Sequence, residues 1–350
     1  MDLTLKNHKS HFNVKFLKGY GFSISVKDSK IILKNNSDPF SEPQTEEWFV
    51  NKMPYEKIVL CGKGYISTKA LGLLSKHNRN LILLDTYGHP VTFLNPVSDS
   101  ITTTNYRMAQ YDTFRDTQKC RYLTRQILQA KIESQINFLK LAGNEIVKDG
   151  ISKLESCLAN FDDHAEKKAS MIYFSEFGKL IPERYGFTAR GSSFIRNNKK
   201  NATDVINALL NYGYTVLAGE ISKFVNGVGL DAYFGFNHRT LANSPALVYD
   251  LIEPFRWLVE YSVYKLASVN RIYKRQYAHT REGSIILGYD LIRRFLELLE
   301  RSFRMERRIE FKHGAKTRDG LKAVQEITIA KVAIQNLVKY CREMQTTFLI

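Results

Sequence analysis

Over roughly the first 95 residues, apolar positions fall in short runs and alternations rather than at helical spacing. GFSISV (21–26) and KIILKN (30–35) lie either side of the turn residues Lys27, Asp28 and Ser29, the pattern of a β-hairpin. KIVLCG (57–62) reads as a buried strand. NLILLD (80–85) and PVTFLN (90–95) flank TYGH, a second hairpin with glycine in its turn. Between them, ISTKALGLLSKH (66–77) has the spacing of a short helix. PVSDSITTTN (96–105), polar and rich in Ser and Thr, reads as a linker. Beyond it the period becomes three to four. Residues 106–143, 151–161, 167–181, 203–229, 254–269, 287–309 and 319–344 all read as helix. The pattern therefore predicts an α+β protein. A small N-terminal β domain (1–95) is followed by a linker (96–105) and a larger all-helical domain (106–350), with no internal repeat.

With 44% hydrophobic and 25% charged residues the chain has the composition of an ordinary globular protein. No N-terminal apolar run has signal-peptide length and no stretch of about 20 apolar residues could span a bilayer. Cys61, Cys120, Cys157 and Cys341 lie far apart, with no C-x-x-C pair and no disulfide or zinc framework. Together these features predict a cytoplasmic protein with no membrane partner. The charge narrows the class further. Fifty-one Lys and Arg against 35 Asp and Glu give a net charge of +16, a field that attracts polyanions, of which nucleic acid is the commonest.

Several stretches bear on chemistry. CGKGYIST (61–68) has glycines, a lysine and hydroxyls after a strand, but it does not meet the phosphate-loop spacing. A strand-to-helix turn capped by Ser67 is the simpler reading. In the helical region three places stand out. Glu166 lies seven residues before Tyr173, on the same helix face. His238 follows the aromatic, glycine-containing turn GLDAYFGFNH. Asp250 and Glu253, three apart in LVYDLIEPFRWLVE, would face one way on a helix. A Glu, a His and an acid gathered in space form an oxygen and imidazole set suited to Mg²⁺ or Mn²⁺, for metal-assisted attack on a phosphodiester. Singly, each has a plainer explanation: a solvated helix residue, a loop histidine, and a D-x-x-E helix N-cap with Pro254 in the first turn.

The order of these phrases carries more than any one of them. E-x-x-A-x-x-x-Y-F at 166–174, D-x-x-N-A-L-L-N-Y-G-Y at 204–214, V-G-L-D-A-Y-F-G-F-x-H at 228–238 and D-L-I-E-P-F-R at 250–256 together closely resemble the CRISPR-associated adaptation integrase, the larger of the two proteins that insert new spacers into CRISPR arrays. K-G-Y-I-S-T-K-A-L-G-L-L and N-L-I-L-L-D-T-Y-G-H-P look like that family's β-domain signature, so the likeness covers roughly residues 15 to 340.

The resemblance implies a β-sandwich-like N-terminal domain, through which the chain forms a symmetric homodimer, joined to an all-α catalytic domain. It implies metal ligands at Glu166, His238 and Glu253, with Asp250 as a second catalytic acid. The implied chemistry is Mg²⁺- or Mn²⁺-dependent integration of protospacer 3′-hydroxyl ends into the repeat array, with nuclease activity on double-stranded and branched DNA. The implied partner is the small second CRISPR adaptation protein, and no nucleotide cofactor is needed. Lys167 stands where the family commonly has Gly, Arg239 where it often has Glu, and Pro254 and Trp257 replace the usual residues around Phe255 and Arg256. None of these removes a ligand, but Lys167 brings a cation beside one.

Arg256 could pair with Asp250 or Glu253, or contact a phosphate. Arg293, Arg294, Arg301, Arg304, Arg307, Arg308, Lys312 and Lys316 form a candidate DNA-phosphate track, interleaved with Glu297, Glu300, Glu306 and Glu310. Tyr173 and Tyr214 could reach DNA or simply pack. Two alternatives remain: a transposon-encoded relative of the integrase, a class that usually carries an added C-terminal DNA-binding domain, and a DNA-binding scaffold whose catalysis has decayed.

Overall fold

A computed structural model describes residues 14–35, 43–55, 57–77, 79–84, 90–94, 101–162, 164–191, 193–196, 199–238, 245–269, 271–281, 283–310 and 321–348. The chain divides into two compact units, residues 1–97 and 98–350.

The first unit is one six-stranded mixed sheet, built from β1 (Val14–Lys27), β2 (Lys30–Asn35), β3 (Gln44–Phe49), β4 (Lys57–Ile66), β5 (Asn80–Leu84) and β6 (Pro90–Leu94) in the order β3-β2-β1-β4-β5-β6. β1, β4 and β5 run parallel, and the outer pairings are antiparallel. The hairpin predicted at KDS forms there. Asp28 and Ser29 both take positive φ (48° and 60°), the sign that a tight two-residue turn between right-twisting strands requires. Helix α1 (Thr68–Lys76) fills the crossover between β4 and β5. Ser67 is its N-cap, accepting the Ala70 N–H at 3.2 Å. The CGKGYIST glycines therefore have a structural role: Gly62 and Gly64 lie within β4, and a Cβ on Gly64 would fall 2.3 Å from the Phe22 carbonyl oxygen. Leu17, Ile24, Ile31, Leu33, Ile58 and Leu74 form the core of this unit. β3, QTEEWF, is too polar for an alternation to reveal it.

The second unit is largely helical. α2 (Ile101–Arg115) and α3 (Thr117–Ala142) come first, followed by α4 (Lys148–Ala159) and α5 (Ala165–Leu180). The ribbon β7 (Ser193–Arg196) and β8 (Lys199–Ala202) precedes α6 (Val205–Gly227), α7 (Ala246–Ile252) and α8 (Arg256–Tyr264). The ribbon β9 (Tyr277–His279) and β10 (Ile285–Leu287) leads to α9 (Tyr289–Phe303). The ribbon β11 (Glu306–Glu310) and β12 (Leu321–Gln325) leads to α10 (Glu326–Cys341).

Beyond α7 and the β7–β8 and β9–β10 ribbons, which the sequence pattern does not mark, three details depart from it. Residues 101–105, polar enough to read as linker, open α2, while 96–100 lie outside the described residues. The single helix expected over 106–143 is two, because the Asp116 carboxylate accepts the N–H groups of Gln118 (2.7 Å) and Lys119 (3.1 Å) and so starts a new helix. Residues 306–309 and 321–325, read as helix, belong to antiparallel strands that pair over 306–310 and 321–325, and LKAVQ has the alternation that fits this.

Candidate active site

α3 carries a lysine inside its apolar stripe. Ile127, Lys131, Ile132, Gln135 and Ile136 are all buried. A buried ammonium requires counter-charge, and Lys131 has two carboxylates. Its Nζ lies 2.6 Å from Glu166 Oε1 and 2.9 Å from Glu253 Oε2. Glu166 stands in the first turn of α5 and also accepts the Ser170 hydroxyl, one turn on, at 2.9 Å. Glu253 opens a 3-10 turn, Glu253–Phe255, that joins α7 to α8, with Pro254 at its start where the missing N–H is harmless. Its Oε1 is 2.8 Å from Arg256 Nη2.

The N-cap expected of Asp250 does not form: Asp250 lies inside α7, and no side chain caps α8. Instead its carboxylate, wholly buried, organises the histidine loop. Oδ2 accepts the N–H groups of Phe236 (2.8 Å) and Asn237 (3.0 Å). Oδ1 accepts the His238 N–H (3.0 Å) and lies 2.5 Å from His238 Nδ1. The loop approaches so closely that a Cβ on Gly235 would fall 2.6 Å from Asp250 Oδ2. Its other side is fixed to α2. The Gln110 amide donates to the carbonyls of Asp231 (2.9 Å) and Phe234 (2.8 Å) and accepts the Asp231 N–H (2.8 Å), and Tyr111 donates to the Asp231 carboxylate at 2.8 Å. Phe114 packs against the rings of Phe234 and Phe236.

A third acid, Glu260 on α8, is fully buried and accepts the hydroxyls of Tyr214 (2.7 Å) and Tyr173. The Tyr214 ring has the guanidinium groups of Arg256 and Arg190 over it, 4.9 and 5.2 Å from its centre. Both tyrosines thus support the site from the core rather than reaching outward.

The electrostatics follow from these contacts. Burial pushes the Glu166 carboxyl up, but the Lys131 charge and hydrogen bond, Ser170 and Arg256 outweigh it and hold the group below the usual range. The bond to Asp250 raises the His238 imidazole despite partial burial, and the Glu253 charge adds to this. Burial raises Glu260, against the opposing hydrogen bonds of the two tyrosines.

The donor chemistry fits a hard divalent ion. Glu253 Oε2 is buried without a hydrogen bond, Glu166 meets the same ammonium, and with Nδ1 on Asp250 the remaining nitrogen of His238 is Nε2, a carboxylate–histidine pairing common where histidine binds a metal. Among the described residues, however, no three His, Cys, Asp or Glu side chains converge tightly enough to hold an ion. The point where Glu166 and Glu253 meet is held by Lys131. The cation beside the candidate ligands is thus Lys131, while Lys167 is exposed. Arg239 lies outside the described residues.

Arg256, a candidate DNA contact, is engaged locally by Glu253 and Tyr214. Of the basic run, Arg293 and Arg301 are exposed on α9 and Arg308 on β11. Arg294 donates to Gln276 Oε1 (3.1 Å) and the Arg271 carbonyl (3.2 Å), Arg304 pairs with Glu300 (3.0 Å), and Arg307 pairs with Glu326 (3.1 Å). Lys312 and Lys316 lie outside the described residues. Reading the sequence missed Lys131, Glu260 and Gln110. The signal was present for the first two, since each is a charge inside an apolar face.

In class, this is a two-unit protein whose helical unit holds a buried acid–histidine centre. A family model described as CRISPR associated protein Cas1 matches residues 16–301, and the chain belongs to that family. It is 28% identical over 279 residues to "CRISPR-associated endonuclease Cas1 1" of Archaeoglobus fulgidus, covering 73% of this chain and 78% of the relative. Among solved structures, its fold is similar to that of a casposase bound to integration product (TM-score 0.79, 24% identity, 96% of this chain and 92% of that one). It is also similar to a chain of a Cas6-RT-Cas1–Cas2 complex (TM-score 0.72, 17% identity, 97% of this chain and 36% of that one). No helix among the described residues is long and apolar enough to cross a membrane.

Proposed function

We propose that the protein is a metal-dependent DNA integrase and endonuclease of CRISPR adaptation, which joins protospacer 3′-hydroxyl ends to the repeat array by phosphoryl transfer and cuts DNA. The observation that carries this reading is the meeting of Glu166 and Glu253, from separate elements, at one point, beside an imidazole oriented by a buried aspartate. Family membership supports the same conclusion. Glu166, Glu253 and His238 Nε2 would hold Mg²⁺ or Mn²⁺, which polarises the phosphoryl oxygen and offsets the charge that develops there. Asp250 acts through His238, fixing its ring and tautomer. Arg256 holds and orients Glu253, and the Tyr214 ring, whose hydroxyl donates to Glu260, packs against Arg256. Exposed Arg293, Arg301 and Arg308 supply phosphate contacts. The protein works as a homodimer with the small second adaptation protein, named Cas2 in the similar complex.

The test is strand transfer of a short duplex with free 3′-hydroxyls into a repeat-containing plasmid, with the small partner and Mg²⁺ or Mn²⁺. Glu166→Ala, His238→Ala and Glu253→Ala should each abolish transfer. Full transfer by His238→Ala refutes the site, and a wild type that binds DNA without metal-dependent product supports a decayed scaffold. The fold likeness to a casposase favours a second reading, a transposon-encoded integrase. Equal transfer into repeat-free and repeat-bearing targets would select it.

A further inference from the structure

A lysine lies between the two acids proposed to hold the ion. Two carboxylates, Glu166 and Glu253, face one point, and the ammonium of Lys131 occupies it, 2.6 Å from one and 2.9 Å from the other. Lys131 is no solvated side chain that happens to reach inward. Its position on α3 is buried, within the apolar stripe formed by Ile127, Ile132 and Ile136. The fold has placed a lysine in its interior and supplied acids on two other elements to neutralise it. Glu253 Oε2, buried and without a hydrogen-bond partner, meets Nζ as an ion pair.

We infer that Lys131 is a positioning residue that serves as a resident cation: its ammonium occupies the divalent-ion position between Glu166 and Glu253 in the metal-free protein and must be displaced when the metal enters. The inference rests on the proposed role of Glu166, Glu253 and His238 as ligands. Two consequences follow from elementary electrostatics. Without Lys131 the two carboxylates face each other with only Arg256, on the far oxygen of Glu253, to offset their repulsion, so the metal-free centre is strained. With Lys131, an entering Mg²⁺ or Mn²⁺ must expel a like charge held by two ion pairs, so its affinity for the protein alone is held down. The lysine keeps the centre assembled before the metal arrives and weakens the metal's hold once it does.

The experiment compares wild type with Lys131→Met, a variant of similar length without the charge, by calorimetric Mn²⁺ titration and by thermal unfolding with and without Mn²⁺, in the absence of DNA. The expected result is Mn²⁺ binding tighter in Lys131→Met by on the order of tenfold or more. Its metal-free melting temperature should be lower than wild type, and Mn²⁺ should raise it by more than it raises wild type. Equal or weaker Mn²⁺ binding by the folded variant overturns the inference. His238→Ala is titrated in parallel: if it binds Mn²⁺ like wild type, the ligand assignment fails, a result separate from the Lys131 comparison. Should Lys131→Met not fold, wild type itself decides. Reductive methylation read by mass spectrometry should find the Lys131 amine protected without metal and labelled more at saturating Mg²⁺. Protection unchanged by Mg²⁺ overturns the inference.

Discussion

Asp250 holds His238 twice, by the backbone N–H at 3.0 Å and by ring Nδ1 at 2.5 Å, so one buried carboxylate sets both where the loop lies and which way the imidazole faces. Asp250→Asn turns one acceptor into a donor that opposes the N–H groups now pointing at the carboxylate. It should lose about 1–3 kcal/mol of stability in urea unfolding and bind Mn²⁺ about 10–100-fold more weakly. Full retention of Mn²⁺ affinity would separate the loop from the metal site.

Gly235 is fixed by contact. A methyl group there meets Asp250 Oδ2 at 2.6 Å and the Ala246 carbonyl carbon at 2.9 Å. Gly235→Ala should therefore destabilise the protein by about 1–3 kcal/mol, read by chemical denaturation, and lower strand transfer because the His238 loop is displaced.

Glu260 predicts a pH dependence. Its carboxyl is raised by burial, so the folded protein binds the proton more tightly than the unfolded chain does. The associated stability is fully present below the unfolded value, about 4.3, and is lost as pH rises through the folded value. Glu260→Gln, which cannot ionise, lacks this term. The wild type should accordingly lose stability relative to Glu260→Gln as pH rises through that window, measured as the difference in melting temperature across a pH series. A constant difference would refute the burial argument.

Tyr214→Phe removes one hydroxyl from Glu260 and should cost about 1–3 kcal/mol. Tyr173→Phe removes the other. Because both act on one carboxylate, the double variant should depart from the sum of the single effects, in a double-mutant cycle read by denaturation.

The α9 arginines differ in their engagement, and DNA binding should reflect this. Arg293→Glu with Arg301→Glu, both exposed, should flatten the dependence of DNA affinity on salt by about one unit of slope for each phosphate no longer neutralised. An unchanged slope, by fluorescence anisotropy across a salt series, removes α9 from the DNA surface.

Much of this was legible in the residues. The β1–β2 and β5–β6 hairpins, the Ser67 cap and most helices follow from period and turn chemistry, because those signals are local. The ribbon β11–β12 did not, since the apolar spacing of α10 reads straight back through LKAVQ. At the site, Glu166, His238, Asp250 and Glu253 stood out as residue types in a recognisable order. Their division of labour was hidden, because spacing cannot reveal that Asp250 turns to the histidine loop while Glu253 turns to Lys131. That depends on the change from α to 3-10 winding at Glu253 and on which helix lies opposite. Lys131 carried a readable signal, a charge at a core position of α3, but its partners lie 35 residues away and further.

The clip between Gln110 and the Asp231 loop spans 121 residues, and Tyr173 waits 87 residues for Glu260. A chain made from its N-terminus onward has Lys131 and Glu166 early, but the histidine loop, Asp250 and Glu253 only after α6 has been synthesised. The two carboxylates that meet Lys131 are therefore made on either side of α6, and the centre depends on contacts of long sequence separation, which form late in folding.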